Sequence, residues 1–204
     1  VGRRNSFPLG VLRLPPLRNK GQPHFERTIR RMLREKGWPD DLAGAHLYLV
    51  GGSWRALSRL DIDLTKNPLA VLDQHHLHRS ALGRLLRASK RMPVEKLMAI
   101  SGMAANRAAA VPDAASLLSA LVNIIGSDEM TVSSSGLREG LLYQALDEET
   151  RAQDPLIEAA LFEGRRLSRF SQHGRILADW IDPLFQHDDV ADARIRLAAC
   201  LLSD

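Results

Sequence analysis

His46-Leu47-Tyr48-Leu49-Val50-Gly51-Gly52-Ser53-Trp54-Arg55-Ala56-Leu57 is the stretch on which the reading of the chain turns. Leu47 to Val50 is a short apolar, β-prone run, the pattern of a buried strand. Two glycines and a serine interrupt it, and a helix-compatible amphipathic segment follows. In a strand–Gly-Gly-Ser–helix arrangement, backbone without side chains can approach a ligand closely. Its amides and the positive end of the helix dipole then face any negative charge placed there. Ser53 is the expected N-cap, with a hydroxyl also suited to a phosphate oxygen. The same residues also describe a plain strand-to-helix turn with a serine cap and no ligand.

A second unit of the same kind lies downstream. Glu129-Met130-Thr131-Val132-Ser133 is β-prone, and Ser134-Ser135-Gly136-Leu137-Arg138-Glu139-Gly140-Leu141-Leu142 is a small-residue turn running into a helix. Ser133, Ser134 and Gly136 are candidate amide or hydroxyl donors. Arg138 carries a guanidinium fork suited to bidentate phosphate contact, or to an ion pair with Glu139 or an aspartate. Two such turns at the carboxyl ends of parallel strands would open side by side onto one cleft. Gly51, Gly52, Ser53, Ser133, Ser134, Gly136 and Arg138 are therefore the candidate anion-binding residues.

Between and around these units the pattern is mixed. Arg3 to Phe7 alternates as an edge strand would, and a helix is expected over 24–36 from Phe25, Ile29, Met32 and Leu33 at helical spacing. Pro68 is expected to open a helix through 69–91 that carries His75, His76 and His78. No carboxylate or cysteine completes a ligand set around these histidines, so they read as structural or solvent-exposed. Further helices are expected over 94–101 and along Leu117 to Ile125, the latter ending at Gly126. The sequence up to about residue 150 thus reads as an α/β domain, and residues 151–204 as the opening of an all-helical one.

Composition narrows the class. The 204 residues are 45% hydrophobic and 25% charged, with a net charge of +4, the balance of an ordinary globular chain. Residues 1–36 hold ten Lys or Arg against Glu26 and Glu35, which favours an anionic partner. Aromatic content of 5% and the lack of a known nucleic-acid module argue against nucleic acid. No run approaches the roughly 20 apolar residues of a membrane span. The single cysteine, Cys200, sits in an apolar run and reads as a core residue; a cytoplasmic setting is expected. The chain opens at Val1 and stops at Asp204 within a helical pattern, which reads as a piece of a longer protein.

Four motifs follow one another in a single order: Ser6-Phe7-Pro8-Leu9-Gly10-Val11-Leu12-Arg13-Leu14, Val50 to Leu57, Val132-Ser133 with Gly136 to Leu142, and Arg196 to Asp204. Their succession resembles the exopolyphosphatase and guanosine pentaphosphate phosphohydrolase (Ppx/GppA) family of the actin-like ATPase superfamily. The resemblance implies the second lobe of an actin-like, ribonuclease H-like α/β fold, lacking its first strands and followed by the start of an HD-like helical domain. It implies magnesium-assisted hydrolysis of a terminal phosphoanhydride in inorganic polyphosphate or guanosine pentaphosphate, or a non-catalytic phosphate-chain sensor. Gly51, Gly52 and Ser53 match the family's cleft-facing glycine motif, and Arg138 matches its substrate arginine. The family's phosphate loop, catalytic glutamate and Asp-x-Gly-Gly-Gly-Ser hairpin have no counterpart here and are expected upstream of Val1. The isolated chain is accordingly expected to bind phosphate chains without hydrolysing them, and an open sheet edge suggests a homodimer.

Overall fold

A computed structural model describes residues 4–10, 13–38, 42–100, 102–167, 170 and 172–203. Contacts divide the chain into two units that part between Gly140 and Leu141.

The first unit is built on a three-stranded sheet in the order β1-β3-β2: β1 (Leu47–Val50), β2 (His75–His78) and β3 (Glu129–Ser133). β3 is central because its Met130, Thr131 and Val132 are all buried. β1 runs parallel to it, with Leu47 opposite Met130 and Val50 opposite Ser133. β2 is antiparallel, with Leu77 opposite Met130. Leu49, Leu77, Met130 and Val132 join Leu57 and Leu60 of α3 (Gly52–Thr65), Leu85 of α4 (Leu82–Arg91), and Leu118 and Val122 of α7 (Val111–Ile125) in one core. A fully buried leucine or valine contributes about 1.5–3 kcal/mol relative to an exposed one, so this core holds the sheet to its helices.

α7 explains its own composition. Leu118 and Val122 enter the first core, while Leu117, Ala120 and Ile124 pack against Phe25, Ile29 and Leu33 of α2 (Gln22–Arg34). A helix covered on both sides needs no polar stripe. It ends at Gly126, whose φ of 78° supplies the left-handed cap. α1 (Leu14–Arg18) adds Leu14 to the second core, and short helices α5 (Val94–Met98) and α6 (Ala105–Ala108) complete the lobe. The helices expected over 24–36 and up to Ile125 are thus present.

Two expectations are corrected. Among the described residues of the expected Arg3–Phe7 strand none is extended: residues 4–7 are irregular, Arg3 lies outside the described residues, and Phe7 packs on the second core with its ring edge-on to Trp38. Residues 69–91 are not one helix. Residues 67–74 are irregular, His75–His78 form β2, and the helix begins only at Leu82. Pairing with β3 buries Leu77 completely, and the positive φ of Gln74 (58°) breaks any helical continuation.

The regular elements among the described residues of the second unit are all helices. α8 (Leu137–Ala145) carries the chain into it, followed by α9 (Glu148–Ala152), α10 (Pro155–Leu167), α11 (His173–Ile181) and α12 (Val190–Leu201). Asp147 caps α9 through the Thr150 amide at 2.7 Å, and Asp189 caps α12 through Ala191 and Asp192. Glycines let the helices approach. A Cβ on Gly174 would lie 2.6 Å from the Cys200 carbonyl oxygen, and one on Gly164 would meet that of Leu201. Cys200 is buried. Arg194 pairs with Asp154, and Arg196 bridges Asp182 and Asp188 while lying over the Phe185 ring.

Candidate anion site at the carboxyl ends of β1 and β3

Because β1 and β3 run parallel with Val50 opposite Ser133, the loops that leave them emerge side by side. Gly51 turns the chain at φ 126° and ψ 165°, a conformation essentially confined to glycine. Gly51, and not Ser53, is the N-cap of α3, and no side chain caps that end. The first amides of a helix have no intrahelical acceptor, so the positive end of α3 remains available to a ligand.

Three arginines gather at this end. Arg55 and Arg59 come from one face of α3, and Arg107 from α6. The Arg55 Nη1 donates to the Ser134 carbonyl oxygen at 2.8 Å. Arg107 lies against Gly52, where a Cβ would stand 2.6 Å from its Cζ; Arg59 lies against Gly102, where the same distance holds. The two glycines thus make room for two guanidinium groups against bare backbone. The resulting cavity of about 340 Å³ is lined by Gly52, Arg55, Arg59, Gly102, Arg107 and Ser134, with Ala56, Leu72, Met103 and Ala104. No carboxylate lines it, and among the described residues neither Arg55 nor Arg107 forms an ion pair. Three guanidinium groups beside a helix N-terminus, with no carboxylate in the lining, match the donors that a polyanion needs.

The second loop is engaged differently. The Ser134 amide and hydroxyl both donate to Asp73 Oδ1, at 2.7 and 2.9 Å. The Ser135 amide donates to Ser133 Oγ at 3.1 Å, and the Gly136 amide to Glu139 Oε2 at 2.7 Å. That last bond is half of a capping box for α8. The amides of Glu139 itself and of Gly136 hold its carboxyl below the usual range. Of the sequence candidates, Gly52 and Ser134 line the cavity and Gly51 sets the helix start. Ser53, Ser133, Gly136 and Arg138 lie outside the lining, and Arg138 is exposed on α8. Sequence reasoning missed Arg55, Arg59 and Arg107. The four-residue spacing of Arg55 and Arg59 after Gly-Gly-Ser is a readable signal. Nothing local points to Arg107, which reaches Gly52 only through the fold.

The histidines belong elsewhere. His75 Nε2 lies 3.2 Å from Asp61 Oδ2, and Arg84 Nη2 donates to Asp61 Oδ1 at 2.7 Å. Burial pushes the Asp61 carboxyl up, but these two partners outweigh it and hold the group below its ordinary value. The trio ties α3, β2 and α4 together. Among the described residues, no group of three or more His, Cys, Asp or Glu side chains is placed to hold a metal ion. No described helix is long and apolar enough to cross a membrane.

The sequence model of the Ppx/GppA phosphatase family matches residues 11–149. Among solved structures, the type II crystal variant of the Aquifex aeolicus Ppx/GppA phosphatase aligns with a TM-score of 0.51 at 18% identity, over 67% of this chain and 47% of that one. A crystal structure of the Aquifex aeolicus family member aligns at 0.49 and 20% identity, over 67% and 46%. The chain therefore spans about half the length of the solved structures it matches. A comparison with curated proteins gave no significant match. The first structural likeness shows a shared fold, a mixed α/β lobe followed by helices. The family match extends over more than half of the sequence, and the chain belongs to the Ppx/GppA phosphatase family.

Proposed function

We propose that residues 1–150 form the phosphate-chain-binding second lobe, and residues 151–204 the start of the helical domain, of an exopolyphosphatase. That enzyme hydrolyses the terminal phosphoanhydride of inorganic polyphosphate and releases orthophosphate. The observation that carries this reading is the gathering of Arg55, Arg59 and Arg107 around the start of α3 without a carboxylate in the lining. A linear polyphosphate offers regularly spaced negative oxygens, and forked guanidinium donors match such oxygens bidentately. The lining contains no group able to take a proton from water, so this cavity binds and orients while general-base catalysis requires a carboxylate from another site. The lining also lacks the carboxylates that usually hold magnesium; binding here relies on arginine and amide donors.

A second cavity favours guanosine pentaphosphate as the alternative substrate. It measures about 320 Å³, shares Arg59 with the first, and is lined by Ile62, Ala70 and Ile100 with Asp63, Lys66 and Asn67 at its polar positions. An apolar floor with a few polar groups suits a base. Calorimetric titration of the chain with linear tripolyphosphate tests the common part of both readings. Binding that Arg107→Ala weakens tenfold or more is expected, and equal binding by both proteins would sink the site. Phosphate release by the full-length protein from polyphosphate and from guanosine pentaphosphate separates the two substrates.

A further inference from the structure

Ser134 lines the arginine cavity, yet both of its donors end on one oxygen of Asp73. A carboxylate oxygen receiving an amide and a hydroxyl at 2.7 and 2.9 Å occupies the place that a phosphate oxygen would take. Asp73 also stands on an unusual segment. Lys66 (φ 53°) and Gln74 (φ 58°) are the two non-glycine residues with left-handed backbone among the described residues, and they bracket residues 67–73. Leu69 and Val71 are 68% and 60% exposed, so packing does little to hold the segment. Among the described residues, the bonds that residues 68–73 make to a distant part of the lobe are the two to Ser134; Leu72 lines the cavity beside them.

We propose that Asp73 sets the specificity of the site as a tethered stand-in for a phosphate group. Residues 67–73, turning about Lys66 and Gln74, release Ser134 only to an anion that carries enough charge to replace it. This inference rests on the reading of the arginine cavity as an anion site. An incoming phosphate must give the Ser134 amide and hydroxyl an equivalent acceptor while displacing a carboxylate whose effective concentration is high because it is tethered. Orthophosphate has a single group with which to do this. A polyphosphate places one phosphate on Ser134 while its neighbours meet Arg55, Arg59 and Arg107. The tether therefore raises the threshold most for short anions. A site whose donors are occupied in about nine molecules of ten shows an apparent affinity roughly tenfold below its intrinsic one.

The experiment compares the wild-type chain with Asp73→Ala, Asp73→Asn and Arg107→Ala, titrated with orthophosphate and with tripolyphosphate. Hydrogen exchange of residues 67–74 is followed in parallel. Asp73→Ala is expected to bind roughly three- to tenfold more tightly, with the larger gain for orthophosphate. Asp73→Asn, which keeps an acceptor for Ser134, is expected to gain less. In the wild type, tripolyphosphate is expected to speed exchange across residues 67–74. Equal or weaker binding by Asp73→Ala overturns the proposal. So does tighter binding without faster exchange, or with equal gains for Ala and Asn, since either outcome is a simple charge effect. If tripolyphosphate binds and Arg107→Ala weakens it while Asp73→Ala changes nothing, the site stands and this inference alone falls. If no variant binds either anion, both fall together.

Discussion

The guanidinium of Arg55 donates to the carbonyl oxygen of Ser134 at 2.8 Å, tying the helix that follows β1 to the loop that follows β3. One bond thus closes the carboxyl edge of the sheet and leaves the rest of the Arg55 fork directed at the cavity that it shares with Arg59 and Arg107. Removing Arg55 should cost a charge-assisted contact of about 1.5–3 kcal/mol. Arg55→Ala is expected to bind tripolyphosphate at least tenfold more weakly, with a shallower dependence on ionic strength, because fewer charges remain to be screened. Titration at low and high salt measures both.

Gly51 and Gly52 are adjacent and should respond differently. Gly51→Ala forces a side chain into backbone at φ 126° and should destabilise the lobe by about 1–3 kcal/mol. At Gly52 the obstacle is the flexible end of Arg107. Gly52→Ala should leave stability within about 1 kcal/mol of wild type while displacing Arg107 and weakening anion binding severalfold. Denaturant melts paired with titration distinguish the two.

Asp61 holds two partners from different elements, His75 on β2 and Arg84 on α4. Asp61→Asn takes a buried carboxylate away from His75 and from the exposed Arg84 and should lower stability by about 1–3 kcal/mol. The folded-state carboxyl is depressed, so its contribution is present above the unfolded value and lost as pH falls through the folded one. Urea midpoints for wild type and variant should therefore converge in acid.

In the helical unit, Gly174 lies against the backbone of Cys200 and Leu201. Backbone cannot swing aside as a side chain does, so Gly174→Ala should separate α11 from α12 and destabilise the unit by about 1–3 kcal/mol. Thermal melting followed by circular dichroism is the check. An unchanged midpoint would show that the helices slide without loss.

Asp154 accepts from Arg194, and from the amides of Leu156 and Ile157 at 2.9 and 3.3 Å. The hydrogen bond from Arg194 is the main cause that holds its carboxyl down at about 2, against an ordinary 3.8. A depressed folded value means stabilisation that is complete above the unfolded one and disappears as pH falls from about 4 to about 2. Asp154→Asn should remove that part of the acid sensitivity, visible as a flatter dependence of melting temperature on pH across this window.

The legible parts of the fold share a physical cause. Leu47–Val50 and Glu129–Ser133 were readable as strands because short apolar runs ended in glycine or serine turns, and their parallel pairing follows from the repeated strand–turn–helix order. α2 and α7 were readable because local spacing of apolar residues records which faces are buried. β2 was hidden because three histidines in four residues carry no strand-like alternation. Only the hydrogen bonds of β3 and the Asp61 partnership make His75–His78 extended. Arg3 to Phe7 failed in the opposite sense: weak alternation was present, but Phe7 gains more by packing beside Trp38.

The sequence by itself determined that two small-residue turns would follow two strands that pair in parallel, because apolar runs and glycine placement are local properties. It also placed Gly51 and Gly52 in the turn that leads into α3, though with Ser53 as the cap. Tertiary structure alone decided which charges stand there. Arg107 reaches Gly52, and Asp73 reaches Ser134, across 55 and 61 positions of sequence. No local pattern encodes such meetings, since they depend on how α6 and the irregular segment 67–74 settle against the finished sheet.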